Sequence, residues 1–173
     1  MRHTVLVVLA AALLCASAFA SDNESKASIF AGYSFTSFDN GTGNPRTTAN
    51  GFSAEFAGNV SKHLSLVGNF GGAYSSTLGI SESDYTYLFG PRFVGHFGRM
   101  DAFGHALFGG INSRAVGVSA SAFAMGFGGG VNVAISHNGK KAWRLVEFDY
   151  MPTHFASTYQ KNIRITTGLQ FNF

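Results

Sequence analysis

From Asn162 to Phe173 the chain alternates strictly. Ile163, Ile165, Thr167, Leu169, Phe171 and Phe173 occupy one parity, and Asn162, Arg164, Thr166, Gly168, Gln170 and Asn172 the other. A period of two belongs to a pleated strand, which sends successive side chains to opposite faces. The segment therefore has one apolar face and one polar face. The same reading along the chain predicts eight strands, at 27–38, 51–60, 64–75, 84–98, 102–112, 122–135, 141–151 and 161–173. Connections near Ser61–His63, Arg99–Asp101 and Ser136–Lys140 are short. Those at Asp39–Asn50, Ser76–Ser83, Ser113–Ser121 and Pro152–Gln160 are longer and rich in Ser, Thr, Asn and Gly. Short turns alternating with longer loops imply an antiparallel up-and-down meander.

Parity decides which face meets which solvent. The aromatic-rich set comprises Ile29, Tyr33, Phe35, Phe52, Phe56, Leu64, Leu66, Phe70, Tyr85, Tyr87, Phe89, Phe93, Phe97, Phe148 and Tyr150. Of the six charges well inside strands, Glu55, Arg92, Glu147, Asp149 and Arg164 fall on the opposite parity. The sixth, Arg144, falls with the aromatics, beside a turn where water is close. A charge facing lipid at mid-depth costs about 2–4 kcal/mol and little near the interface. A soluble sandwich would turn its aromatics inward and its charges outward. Here the bulky parity is apolar and the other is small and hydrogen-bonding, so lipid lies outside and a polar interior within. The fold class expected is all-β: an eight-stranded antiparallel transmembrane β-barrel.

Composition agrees. Charged residues make up 12% of the 173, against about 25% in ordinary soluble domains. Eighteen Phe exclude a disordered chain. One Cys excludes a disulfide scaffold, and the glycines lack the period of collagen. The net charge of +3 is not gathered into a basic run, so no footprint for nucleic acid exists. Beyond the N-terminal run, the nearest approach to a membrane helix is Ala115 to Gly139, which has no Asp, Glu, Lys or Arg but carries six glycines that oppose a helix, at roughly 1 kcal/mol each.

The N-terminus reads differently. Met1-Arg2-His3 is a basic start, Thr4 to Leu14 an apolar run, and Ala18-Phe19-Ala20 a small-x-small cleavage pattern. A signal peptide over 1–20 and a mature domain over 21–173 are expected. The run is short for a membrane anchor of about 20 residues. Leu14 also stands where lipoprotein processing at Cys15 needs a small residue.

Two local features resist the pattern. Pro91 lies inside the fourth strand and has no N–H for a ladder, which predicts a bulge at Gly90-Pro91. In the fifth strand, Phe103, His105 and Leu107 oppose Ala102, Gly104, Ala106 and Phe108, and the residues alone leave its facing open.

Three segments carry a family likeness: Leu88-Phe89-Gly90-Pro91-Arg92-Phe93, His105-Ala106-Leu107-Phe108-Gly109-Gly110 and Leu145-Val146-Glu147-Phe148-Asp149-Tyr150. With them, residues 21–173 resemble the small bacterial outer-membrane β-barrel proteins related to the OmpA transmembrane domain. The ending through Leu169, Phe171 and Phe173 is similar to the signal read by the barrel-assembly machinery. The resemblance implies a Gram-negative, porin-like barrel in the cell outer membrane. Its partners would be outer-membrane lipids, that machinery and periplasmic chaperones, with no nucleic acid and a monomeric state. It implies location and fold more than an activity.

Candidate sites follow from the inward charges. Glu55, Arg92, Glu147, Asp149 and Arg164 have both signs, and buried charges need partners. An eight-stranded barrel is just wide enough to be filled by its own side chains, so these five are expected to form a barrel-interior polar network, with His96 and His105 as possible additions. The alternative is a gated ion path or proton relay. The histidines form no metal-ligand spacing, so neither metal nor cofactor is expected. His154 and Ser157 are the nearest candidates for a lipid hydrolase, but no acidic partner stands close and no Gly-x-Ser-x-Gly elbow occurs. The glycines from Gly126 to Gly130 lack a phosphate-loop pattern and suggest close strand packing. The functional expectation is a non-enzymatic outer-membrane barrel with a plugged interior and a role in envelope integrity. Its alternatives are a surface-recognition protein acting through Asp39–Asn50 and Pro152–Gln160, or a narrow pore.

Overall fold

The computed structural model describes residues 26–41, 44–77, 80–115, 118–155 and 158–173. The expected signal peptide, Cys15 and Ser157 lie outside them. Among the described residues are eight strands: β1 (Ala27–Phe38), β2 (Thr47–Ser61), β3 (Leu64–Thr77), β4 (Ile80–Phe97), β5 (Met100–Ala115), β6 (Val118–Ala134), β7 (Lys141–Phe155) and β8 (Thr158–Asn172). Each pairs antiparallel with its neighbours in sequence, and β1 pairs with β8 from Ser28↔Asn172 to Ser37↔Ile163, closing the barrel. Closure leaves no edge, which is what lipid demands of a sheet. It also makes the eight-stranded meander of the sequence reading the observed topology.

The outer surface is the aromatic parity. Ile29, Tyr33, Phe56, Leu66, Phe70, Tyr87, Phe89, Phe93, Phe97 and Phe148 are exposed, and Phe97 retains 69% of its accessible surface. In β5 the structure settles the open facing: Phe103, His105 and Leu107 are buried, whereas Phe108 is exposed. Leu169 and Phe171 of β8, and Phe173 just after it, are also exposed.

Three differences from the sequence reading have physical causes. The first concerns the long connections. Every described residue of Ser76–Ser83, Ser113–Ser121 and Pro152–Gln160 is strand, and β2 already begins at Thr47, inside Asp39–Asn50. Toward these hairpin ends exposure stops alternating, as from Val118 to Ser121, which are all exposed, so the period disappears from the sequence while backbone pairing continues. Pairs such as Glu82↔Ala115 and Ala115↔Val118 lie in that zone. A recognition surface built on Pro152–Gln160 as a loop is therefore mostly paired strand.

The second concerns Pro91. The ladder to β5 lapses at Gly90 and Pro91, then resumes in the same register, with Phe89↔Phe108 on one side and Arg92↔His105 on the other. No residue is inserted, so there is no bulge. An extra residue would have reversed parity beyond it and carried Arg92 to the lipid side.

The third concerns β7. Its register against β6 shifts between Val131↔Val146 and Asn132↔Arg144, and against β8 between Arg144↔Gly168 and Glu147↔Thr166. Leu145 and Val146 together oppose one residue on each neighbour, a bulge that leaves both side chains exposed. Parity flips there. Arg144 accordingly lies inside the barrel, fully buried at 0% exposure, not on the outer face.

Beyond 39–46, where β1 has ended, side chains take the place of a ladder partner for β8. Lys161 donates its backbone N–H to Asp39 Oδ2 at 3.2 Å, and Arg46 Nη2 donates to the Lys161 carbonyl at 2.8 Å.

Candidate functional site in the barrel lumen

Every strand delivers at least one side chain to the centre of the barrel. Arg92 of β4 donates from Nη1 and Nη2 to the two oxygens of Glu55 on β2, both at 2.5 Å. This fork-to-fork pairing is the strongest geometry available to the two groups. Arg144 of β7 reaches the same carboxylate, Nη2 to Oε1 at 3.1 Å, and donates from Nη1 to Glu147 Oε2 at 2.6 Å. Its remaining donors meet Asn132 Oδ1 of β6 and Gln170 Oε1 of β8, both at 3.1 Å. The guanidinium carbon lies 3.9 Å from the ring centroid of Phe30 on β1 and 4.7 Å from that of Phe103 on β5. In a ring of eight, β1 and β5 are opposite walls, so Arg144 occupies the barrel axis.

A second half of the network is centred on Asp149 of β7. Arg164 of β8 donates to its Oδ2 from Nε at 3.0 Å and from Nη2 at 2.7 Å, while Nη1 donates to Asn69 Oδ1 on β3. His105 of β5 donates from Nε2 to Asp149 Oδ1 at 2.7 Å, leaving Nδ1 toward Arg92 Nη2 at 3.5 Å. The two halves thus touch through His105 and Arg92. Three carboxylates, Glu55, Glu147 and Asp149, balance three guanidiniums, Arg92, Arg144 and Arg164. Burying any one alone would cost several kcal/mol; paired and hydrogen-bonded, the charges offset their own desolvation.

Local backbone features make room for this cluster. A Cβ on Gly128 would collide with the Asp149 carboxylate and the Phe148 carbonyl, so glycine is what lets β6 pass beside the acid. Gly129 and Gly130 likewise approach the Phe103 and Val146 carbonyls closely, which is the packing use of this glycine run. At the β7 bulge, Thr167 Oγ1 donates to the Arg144 carbonyl at 2.9 Å.

The five inward charges expected from sequence therefore stand in direct or one-step contact. Arg144 and Asn132, which hydrogen-bond within the same cluster, were not among them. Nothing in the alternation marks Leu145-Val146 as a bulge, so parity counting places Arg144 outside. His96, the other histidine considered for the interior, stands at the short-turn rim instead, facing Asp101 Oδ1 at 2.7 Å and the Lys62 carbonyl at 2.9 Å.

The lumen is also less polar than the sequence reading implies. Leu88, Leu107, Ile111, Ala124 and Met151 are buried against one another, with Phe38 and Ala122 packed on them. These residues lie toward the end bearing 39–46. On that side of the charged cluster a cavity of about 10 Å³ remains beside Arg164; on the short-turn side one of about 270 Å³ opens beneath Arg92.

His105, Glu147 and Asp149 bring potential metal-ligating atoms within 4.8 Å of one another. Their chemistry argues against a cation there, because Arg144 and Arg164 already hold the two carboxylates and Arg92 faces the imidazole. The set also lacks an aligned nucleophile: the ring nitrogens of His105 face Asp149 and Arg92, and neither faces a hydroxyl.

Comparison with known proteins places this arrangement in context. The family model described as the outer membrane protein beta-barrel domain matches residues 6–173. The fold is similar to that of Neisserial surface protein A, with a TM-score of 0.72 at 9% identity over 88% of this chain and 100% of that one. It is similar to OprG from Pseudomonas aeruginosa, with a TM-score of 0.56 at 8% identity over 87% and 97% of the two chains. It also resembles Ail, the attachment invasion locus protein of Yersinia pestis, with a TM-score of 0.55 at 16% identity over 86% and 100%. No curated protein matches the chain in sequence.

Proposed function

Because the chain belongs to the outer membrane protein beta-barrel family, we propose that it is a non-enzymatic integral protein of the outer membrane, plugged along its axis and structural in role. The observation that carries this reading is the position of Arg144. Its guanidinium sits between Phe30 and Phe103 from opposite walls and binds Glu55 and Glu147 at once. An ion crossing the barrel would have to displace a residue with five polar contacts. The apolar group around Leu107 and Met151 adds a second obstruction. Such a barrel contributes to the envelope by its presence and packing rather than by transport. The short turns would face the periplasm, and Leu169, Phe171 and Phe173 would be the strand that the assembly machinery and periplasmic chaperones recognise. Outer-membrane lipids would be its standing partners and the monomer its working state.

Planar-bilayer recording tests the plug. A quiet membrane at protein levels where open porins conduct is expected, and sustained large channels would contradict it. Detergent sensitivity of cells lacking the protein tests the integrity role. Replacing Asn40–Arg46 with a tight turn should leave that sensitivity unchanged, whereas a surface-recognition role would show loss of attachment.

A further inference from the structure

The cavity beneath Arg92 has the features of a built site. Its volume is about 270 Å³, and its lining includes Ser65, Arg92, Lys62, Asn132, His96 and Asp101. Arg92 is 3% exposed. Its Nη1 and Nη2 are engaged by Glu55, but its Nε–H has no acceptor in the protein. Other polar groups of the wall satisfy one another. Ser65 Oγ donates to Asn59 Oδ1 at 2.7 Å, and Asn132 Nδ2 donates to Gln170 Oε1 at 3.2 Å. Asp101, the acidic group of the lining, is engaged by His96 at 2.7 Å. Of the wall's buried polar side-chain atoms, Arg92 Nε is the one without a partner among the described residues.

The approach to the cavity is charged to match. Among the described residues, Lys26, Lys62, Arg99, Lys140 and Lys141 are all exposed at the short-turn end, with Asp101 as the acidic side chain beside them. At the opposite end Asp39, Glu82 and Asp84 are interspersed with Arg46, Arg114 and Lys161. A mouth where basic groups outnumber acidic ones, over low-dielectric walls, concentrates anions. We propose that this vestibule binds a single small oxyanion group, a phosphate or carboxylate, held by the Arg92 Nε–H at its floor and the Lys62 ammonium at its mouth. A cation would face an arginine at the floor, and an apolar ligand would leave the donor unmet. The volume accommodates one hydrated oxyanion, each water taking about 30 Å³. Free phosphate and the headgroup of an anionic phospholipid in the adjoining leaflet share this chemistry.

The test uses the full chain folded in detergent micelles, with the arginine Nε–Hε resonances followed by NMR. Titration with inorganic phosphate at constant ionic strength should shift the Arg92 resonance saturably, while chloride should not. Lys62→Gln should weaken the response by about threefold or more, the scale of a partly exposed ion pair. Lys161→Gln, at the far end, should leave it unchanged. A second arm compares nanodiscs of phosphatidylglycerol with nanodiscs of phosphatidylcholine. A shift with phosphatidylglycerol alone supports the proposal and assigns the headgroup as its source, and a shift with free phosphate supports it and assigns the soluble anion. Absence of a saturable shift in both arms, or a response indifferent to Lys62→Gln, overturns it. Conductance plays no part in this readout, so the plug and the anion site fail independently.

Discussion

Arg144 and Glu147 lie three residues apart on one strand, and both point into the lumen, Nη1 to Oε2 at 2.6 Å. In a regular strand positions i and i+3 face opposite ways. The bulge at Leu145-Val146 reconciles them, and the salt bridge is a direct reading of it. Inserting one alanine between Arg144 and Leu145 adds a residue before the bulge and should reverse parity there. Arg144 and the strand residues before it would then swap faces, at a cost reaching about 2–4 kcal/mol for an arginine in lipid. Loss of the heat-modifiable compact band on gels is the expected result. Leu145→Ala keeps the bulge and should retain that band.

The Asp149–Arg164 pair predicts non-additive energetics. Arg164→Met leaves Asp149 buried without its cation, and Asp149→Leu leaves Arg164 without its anion. Each single change should cost about 3–5 kcal/mol, and the double variant less than the sum, because no uncompensated charge stays behind. Urea unfolding of the four proteins in lipid vesicles measures the coupling.

Gly128 and Gly126 should differ. A methyl group on Gly128 meets the Asp149 carboxylate and the Phe148 backbone; on Gly126 the nearest atom is Leu88 Cδ1 at 3.2 Å, the tip of a side chain that can turn. Gly128→Ala should destabilise by about 1–3 kcal/mol, as overpacking does, and displace Asp149 from His105. Gly126→Ala should be milder. The same unfolding assay compares them, and the His105 ring resonances report the displacement.

Asp39 ties the 39–46 connection to β8. Backbone N–H groups of Gly41 and Lys161 hold its carboxyl below the ordinary 3.8, the Gly41 bond contributing most. A depressed carboxyl stabilises the folded arrangement above its unfolded value and loses that contribution as pH falls through the folded one. Protection of the Lys161 amide from hydrogen exchange should thus persist at pH 3.8 and fade only at lower pH. Asp39→Asn should remove this acid dependence and hold protection near the level the unsubstituted protein reaches only in acid.

The alternation in residues 162–173 and its repeats are local properties, written by the pleat of each strand. They sufficed for the strand count, the antiparallel order and the outward set from Ile29 to Tyr150, since each residue's facing follows from its immediate neighbours. The inward placement of Glu55, Arg92, Glu147, Asp149 and Arg164 was legible for the same reason. Arg144 was not, because a bulge is a mismatch between two strands and leaves no mark in either one. The facing of Phe103 and His105 was likewise settled only when β5 was held between β4 and β6. The polar hairpin ends escaped notice because exposure of both faces erases the pattern without breaking the ladder. Which acid meets which arginine depends on distances across a closed ring, from β7 to β2 or β8 to β3. Closure, a long-range event, determines those distances; periodicity, a short-range one, does not.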